Sequence, residues 1–356
     1  MNKILLTGGG TAGHVTPNIA LLPLLKEADF EISYIGSHKG IEHSLIEAEG
    51  IPYFGISSGK LRRYFDLKNF SDPFKVGKGY FDALSIIRKV KPDVVFSKGG
   101  FVSVPVVLAA KTLGVPVIIH ESDMTPGLAN KLAFPSATKV CCNFPETVKY
   151  LPAGKAVLTG SPIRAEILSG SKEAGLKFCG FSADKPVIMI MGGSIGSVFI
   201  NNAVRESLTT LLEEFQIVHL CGKGNLAPEC EGMEGYRQFE YISKELPDLF
   251  AMADLLISRA GANSICEILA LRKPNLLIPL SAAASRGDQL LNAASFEKQG
   301  FSMVLQEEDV TGDSLTENIQ KLFEERESFI NKMASSDLLD ATGTIMNLIK
   351  DCVKAN

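Results

Sequence analysis

One pattern occurs twice in this chain of 356 residues, and it limits the possible folds more than any other feature. Gly9-Gly10-Thr11-Ala12-Gly13-His14-Val15 aligns with Gly192-Gly193-Ser194-Ile195-Gly196-Ser197-Val198, 183 positions later. Asn18 then meets Asn201, and Ala20 meets Ala203. A second pair follows in the same order, residues 93–100 against 254–261, 161 positions apart. Each member of that pair closes an apolar run with Ser, a cation, a small residue and Gly: Ser97-Lys98-Gly99-Gly100 and Ser258-Arg259-Ala260-Gly261. Short runs at 4–6, 32–35, 94–96, 115–119, 140–142, 187–191, 217–220, 255–257 and 275–278 read as strands. Several are apolar at consecutive positions, as parallel strands covered on both faces require. Segments between them, such as 17–26 and 202–214, carry helical spacing. The expectation is α/β architecture in two tandem Rossmann-like, doubly wound domains. Chance alignment of glycines is the competing explanation, and two pairs in one order speak against it.

Composition narrows the class. The chain is 46% hydrophobic and 21% charged, with a formal net charge of -4, which is not the signature of disorder. Seven cysteines, with no C-x-x-C among them, suit reduced and mostly buried thiols rather than a disulfide frame or a zinc site. The apolar start at 1–6 is too short for a signal peptide, and 104–119 is interrupted by Lys111, Gly114 and two prolines. A cytosolic, non-spanning protein is expected, and the mildly acidic total argues against a nucleic-acid partner.

That total conceals an asymmetry. The two repeat offsets differ by 22, so the first half holds a surplus between its motifs. The surplus falls where residues 60–91 carry nine cations against three acids, with Tyr64, Phe65, Phe70, Phe74, Tyr80 and Phe81 among them. This stretch is +6 and the remainder -10. Basic residues mixed with aromatics hold proteins on anionic membranes, each cation adding about 1 kcal/mol. A solvated helix face with its aromatics in the core fits the same periodicity.

Three loops could carry chemistry. Gly8, Gly10 and Gly13 satisfy G-x-G-x-x-G between a strand and a helix, a setting for anion binding by backbone N–H groups. No acid ends the second strand, where Tyr34-Ile35-Gly36-Ser37-His38 stands, so a dinucleotide oxidoreductase is disfavoured. His14 at the loop mouth is either a general base or a capping or packing histidine. Gly192-Gly193-Ser194-Ile195-Gly196 is a literal G-x-S-x-G, but only His219 follows it and no triad assembles in hydrolase order. Ser194 reads as a donor to phosphate. In the third loop, Glu267 lies one turn into a helix and is either a ribose ligand or a surface acid favoured by the helix dipole. Asp288 and Gln289 contact hydroxyl groups or cap a helix. D-x-D and the P-loop pattern are absent, so no metal and no cofactor are expected.

Taken in order, these motifs resemble a known family over essentially the whole chain. They are Gly9 to His14, Gly99-Gly100-Phe101-Val102-Ser103, His120-Glu121-Ser122, Gly192 to Gly196, and Ser258 through Glu267, with Asp288-Gln289 and Asn292. The resemblance is to the MurG family of peptidoglycan N-acetylglucosaminyltransferases, which has the glycosyltransferase B architecture. It implies inverting transfer of N-acetylglucosamine from its UDP conjugate to the 4-hydroxyl of the muramyl pentapeptide of lipid I, giving lipid II. It also implies a peripheral protein at the cytoplasmic face of the cell membrane. Residues 1–162 would form the acceptor and membrane-contacting domain, with a last helix within 339–356 packing back on it. Residues 163–338 would bind the donor.

By the same resemblance His14 would be the catalytic base. Thr11, Ala12, Gly13 and Asp123 would approach the donor from the first domain. Arg164 and Ser194 would meet UDP, Ile242 the uracil, and Glu267 the ribose. Ala262, Asn263 and Ser264 would bind the donor at their helix start, and Gln289 and Asn292 would read the sugar. Gly99, Gly100 and Glu121 would bind the acceptor. The family often carries Asn at the position of Asp123 and Gln at that of Asp288. A UDP-sugar transferase or epimerase with a soluble substrate is the alternative, and such an enzyme has no need of the basic-aromatic segment. A non-catalytic nucleotide-sugar-binding or scaffold protein is the other, and it would be indifferent to His14→Ala.

Overall fold

The computed structural model describes residues 1–59, 68–193, 196–282 and 287–354, with the side chains of 68–73 left out. Two units emerge, Met1–Arg164 with Asp340–Asn356, and Ala165–Leu339. The chain therefore leaves the first unit once and returns to it.

In unit 1 the strands are β1 (Lys3–Thr7), β2 (Glu31–Ser37), β3 (Tyr53–Ile56), β4 (Val94–Ser97), β5 (Val117–Glu121), β6 (Lys139–Cys142) and β7 (Ala156–Leu158). They form one parallel sheet in the order β3-β2-β1-β4-β5-β6-β7. Its helices are α1 (Thr16–Glu27), α2 (Ile41–Ala48), α3 (Lys68–Val90), α4 (Ser103–Thr112) and α5 (Leu128–Ala133). Successive residues of a strand point to opposite faces, which explains why these strands are apolar throughout. Leu5, Ile35 and Val95 pack with Ala83, Ile87, Val106 and Val107 of α3 and α4. Ile4, Leu6, Tyr34 and Phe96 pack on the other face with Leu21 and Leu25 of α1.

Unit 2 repeats the plan with β8 (Val187–Met191), β9 (Gln216–Leu220), β10 (Tyr236–Phe239), β11 (Leu255–Ser258), β12 (Asn275–Leu277) and β13 (Met303–Val304). Their order is β10-β9-β8-β11-β12-β13, again parallel. The helices are α6 (Lys172–Cys179), α7 (Val198–Glu214), α8 (Leu246–Met252), α9 (Ala262–Leu271), α10 (Asp288–Lys298), α11 (Gly312–Glu324) and α12 (Arg326–Ala334). A final helix, α13 (Ala341–Lys354), belongs to unit 1, where Ile345, Met346 and Ile349 join the α1 side of the core.

In each unit the strand order reverses between a central pair, β1/β4 and β8/β11. The loops at the carboxyl ends of such a pair frame the crevice where ligands of open α/β sheets bind. The two repeated motifs are the loops after these four strands. Most of the surplus in the first half is helix length, since α3 has 23 residues and its counterpart α8 has seven. Strand bounds differ from the sequence reading in places: the run at 115–119 becomes Val117–Glu121, and β3, β7, β10 and β13 are additional.

Candidate active site

The first loop of unit 1 is assembled by its glycines. A Cβ added at Gly8 would stand 2.5 Å from the His14 carbonyl oxygen, and Gly10 has a φ of +89°. Residues 12–14 form a single 3-10 turn ahead of α1. Asn18, buried in α1, donates to the Thr7 carbonyl and to the Tyr34 hydroxyl, both at 3.2 Å, and that hydroxyl donates to Gly8 O at 2.8 Å. Its repeat counterpart Asn201 donates to Cys221 O at 2.9 Å and meets His219 Nε2 at 3.0 Å. The repeat thus extends to the buried amide that ties the helix after β1, and the helix after β8, to its sheet.

His14 is half-buried, with Nδ1 at 3.1 Å from Gly9 O and 3.2 Å from Thr11 Oγ1. A carbonyl oxygen only accepts, so Nδ1 carries the proton in this arrangement and the lone pair lies on Nε2. Burial foremost, and next the Lys98 ammonium, bring the His14 pKa down to about 4, against the Gly9 bond and the Glu42 carboxylate. The imidazole is neutral at pH 7 and able to accept a proton.

Loop two packs on loop one. Gly99 and Gly100 have φ of +94° and +87°, Gly9 N donates to Gly99 O at 3.3 Å, and a Cβ on Gly100 would stand 2.2 Å from Gly9 O. Lys98 is buried, its ammonium bonding Ser122 Oγ and His120 Nδ1, the latter at 2.7 Å. His120 Nε2 donates to Gly160 O at 2.8 Å, which leaves Nδ1 as the acceptor. Burial, then Lys98, hold His120 well below its ordinary pKa. Glu121 braces the next loop: its oxygens accept from Asp123 N at 3.0 Å, Gly127 N at 3.1 Å and Asn130 Nδ2 at 2.9 Å. Burial, and then the nearby Asp123, raise its pKa to about 7.

In unit 2, a Cβ on Gly196 would stand 2.0 Å from Cys221 O, and Ser197 Oγ caps α7 by accepting from Ile200 N at 3.3 Å. Arg259, the counterpart of Lys98, donates to Ser197 Oγ at 2.8 Å and Ile278 O at 3.1 Å, and pairs with Glu307. The other Glu307 oxygen accepts from Ser281 N at 3.0 Å. Gly261 precedes α9 without a side-chain cap, so the first-turn amides of Ala262, Asn263 and Ser264 have the arrangement that favours anions. Glu267 is half-buried one turn on, and Ile242 is half-buried in the loop after β10.

The expected site residues therefore gather at the carboxyl ends of the two sheets. Thr11, Ala12, Gly13, His14, Gly99, Gly100, Glu121 and Asp123 lie at that edge of unit 1. Ala262, Asn263, Ser264, Glu267, Gln289 and Asn292 lie at that of unit 2. Asn292 is turned inward, its amide donating to Ala260 O at 3.1 Å, and Gln289 Oε1 accepts from Leu280 N at 3.0 Å. Arg164 closes the first stretch of unit 1, its Nε buried and without a hydrogen-bond partner among the described residues. Ser194, Ser285 and Arg286 lie outside the described residues, as do residues 60–67 of the basic segment. Two residues here were given no role by the motifs, Lys98 and Glu42. Lys98 stood in the repeat without a function, and Glu42 belongs to no motif.

Two parallel doubly wound units of this kind, glycine loops at each switch point, define the glycosyltransferase B class of α/β fold. Residues 4–142 match the glycosyltransferase family 28 N-terminal domain and residues 187–348 its C-terminal domain. The chain belongs to glycosyltransferase family 28. It is 65% identical over 351 residues to the UDP-N-acetylglucosamine--N-acetylmuramyl-(pentapeptide) pyrophosphoryl-undecaprenol N-acetylglucosamine transferase of Lachnospira eligens, 99% of each chain. The protein of the same description from Lachnoclostridium phytofermentans is 62% identical, again over 99% of each. Among solved structures, Acinetobacter baumannii MurG aligns over 99% of this chain and 100% of its own, with a TM-score of 0.78 and 27% identity. The UDP-GlcNAc 2-epimerase of Neisseria meningitidis, at 15% identity and a TM-score of 0.64, shares the fold.

Proposed function

We propose that this chain transfers N-acetylglucosamine from UDP-N-acetylglucosamine to the 4-hydroxyl of the muramyl pentapeptide on undecaprenyl diphosphate, converting lipid I into lipid II. The observation that carries the reading is His14. It is a neutral imidazole with Nδ1 committed to a carbonyl, standing at the glycine loop of the unit 1 switch point. In the reaction the acceptor oxygen bonds to the anomeric carbon from the face opposite UDP, and the sugar–phosphate bond breaks, which inverts that centre. The hydroxyl becomes strongly acidic as its new bond forms, so a base of low pKa suffices to take its proton on Nε2. The leaving diphosphate gains charge, and the amides at the start of α9, with Ser194 and Arg164, are the groups assigned to it. Such donors stabilise the charge without reorganising. Thr11, Ala12, Gly13 and Asp123 are assigned to the donor from unit 1, and Gly99, Gly100 and Glu121 to the acceptor. Ile242 is assigned to the uracil, Glu267 to the ribose, and Gln289 and Asn292 to the sugar.

Contact with the anionic cytoplasmic membrane surface is assigned to α3. Phe74 is 82% exposed and Phe81 70%, with Lys75, Lys78 and Arg88 also exposed, while Ala83, Leu84 and Ile87 are buried. The exposed rings of Phe74 and Phe81 thus stand apart from the core face, as a peripheral contact requires, while Tyr80 packs against the core. No helix among the described residues is long and apolar enough to cross a membrane.

The test is UDP release with a lipid I analogue, with and without EDTA. Turnover with the lipid-linked acceptor that survives EDTA is expected. Turnover only with a soluble acceptor, or a strict requirement for a divalent ion, would overturn the reading. UDP-N-acetylglucosamine is expected to raise the melting temperature and NAD to leave it unchanged.

A further inference from the structure

Glu42 stands in the first turn of α2 with no exposed surface. Three glycines make room for it. A Cβ added at Gly9, Gly36 or Gly40 would come within 2.6, 2.8 or 2.1 Å of its side chain. Its oxygens are divided between two tasks. Oε1 accepts from Ser37 N at 3.0 Å and Ser37 Oγ at 2.5 Å, and Oε2 accepts from Gly10 N at 3.2 Å. Burial works to raise its pKa, but these hydrogen bonds, Ser37 Oγ first, outweigh it and leave the carboxyl below its ordinary value. It is an anion at neutral pH.

The N–H that Glu42 receives from Gly10 and the C=O of Gly9 belong to one peptide unit. In a trans peptide these two groups point in opposite directions, and no peptide bond among the described residues is cis. The Gly9 carbonyl is the group that His14 Nδ1 engages at 3.1 Å. One planar amide therefore has a carboxylate at its N–H end and an imidazole at its C=O end. A carboxylate on the N–H polarises the amide and makes its carbonyl a stronger acceptor.

We propose that Glu42 is the positioning residue of His14, acting through the Gly9–Gly10 peptide: the carboxylate fixes the plane of that peptide, and the peptide fixes the tautomer and orientation of the ring. Gly9 N, held by Gly99 O, secures the preceding peptide. The arrangement does for this histidine what a buried aspartate does for the histidine of a serine protease, with a peptide bond interposed. When Nε2 takes the acceptor proton, the positive ring faces the carbonyl and, behind it, the Glu42 charge, while Lys98 opposes from the loop after β4. The proposal deepens the reading of His14 as base and rests on it.

The test joins a spectroscopic measurement to a kinetic one. In nitrogen-15 spectra of the unaltered protein at pH 7, His14 is expected as the Nδ1–H tautomer. An Nε2–H tautomer there would overturn the proposal without any substitution. Glu42→Gln keeps the shape but turns an NH2 toward either Gly10 N–H or Ser37. It is expected to shift His14 toward a tautomer mixture and to lower turnover about 10–100-fold, the usual cost of losing such a supporting group. Affinity for UDP-N-acetylglucosamine is expected to stay unchanged. If Glu42 acts through the ring, His14→Ala/Glu42→Gln is no slower than His14→Ala alone. Multiplying losses, or an unshifted tautomer in Glu42→Gln, would overturn the proposal while leaving the base reading intact. Full turnover by His14→Ala would instead remove the base reading, and the tautomer would still decide whether Glu42 orients the ring.

Discussion

At His14 two effects lower the pKa, burial and Lys98, and two weaker ones raise it, the Gly9 carbonyl and Glu42. The outcome near 4 has a sign that kinetics can check. The base is lost only where the ring is protonated, so the acid limb of kcat/KM assigned to His14 falls as pH drops through about 4. From pH 5 to 8 this group contributes no slope, whereas an ordinary histidine would produce a limb near 6.5. His14→Ala is expected to remove the limb and lower turnover about 10²–10⁴-fold, with donor affinity preserved. Glu267→Ala is expected to do the reverse, weakening UDP-N-acetylglucosamine in calorimetry more than it lowers turnover at saturation. His14 was legible in the sequence because it is adjacent to its glycines in the chain. Glu42 and Lys98 were not, because they act on residues brought to them by the sheet. Gly10 bonds a carboxylate 32 positions away, and Lys98 a histidine 22 positions away.

The elements that consecutive apolar runs reveal are the interior ones. β1, β2, β4, β5 and β6, and β8, β9, β11 and β12, were all visible as runs. β3, β7, β10 and β13 were missed, and these four are the outer strands of the two sheets. An outer strand is covered on fewer sides and has less need of an unbroken apolar stretch. β7 shows this, with no fully buried residue among its three. The loops depend on close approach instead. Gly100→Ala, with a left-handed φ and 2.2 Å to Gly9 O, is expected to displace loop one and abolish turnover while donor binding persists. On α3, Phe74→Ser/Phe81→Ser is expected to weaken binding to anionic vesicles without lowering the melting temperature, since both rings are exposed. Unchanged vesicle binding would assign that face to solvent.

For the molecule as a whole, buried histidines set the response to acid. His14 is lowered to about 4 and His219 to about 3, each by burial first, and His120 well below its ordinary value. The unfolded chain takes up these protons as pH falls through about 6.5, while the folded chain refuses them until lower pH. Their stabilisation is complete above 6.5 and lost progressively below it. Glu121, raised to about 7, acts oppositely, stabilising fully below its unfolded value and losing that contribution as pH rises through 7. Three histidines outweigh one carboxyl, so the denaturation midpoint is expected to be lower at pH 5 than at pH 7.5. A midpoint that rises on acidification would contradict the assignment.

The return of α13 to unit 1 bears on how the protein is made. Ile345, Met346 and Ile349 are part of the packing that covers α1 and the adjoining sheet face. A ribosome delivers them only after all of residues 165–339. The half whose strands emerge first must therefore wait, with Leu21 and Leu25 short of their final neighbours, while the inserted half completes its own core. During synthesis the earlier-born unit is the later to mature, and its unfinished face is the surface most in need of a chaperone in that interval.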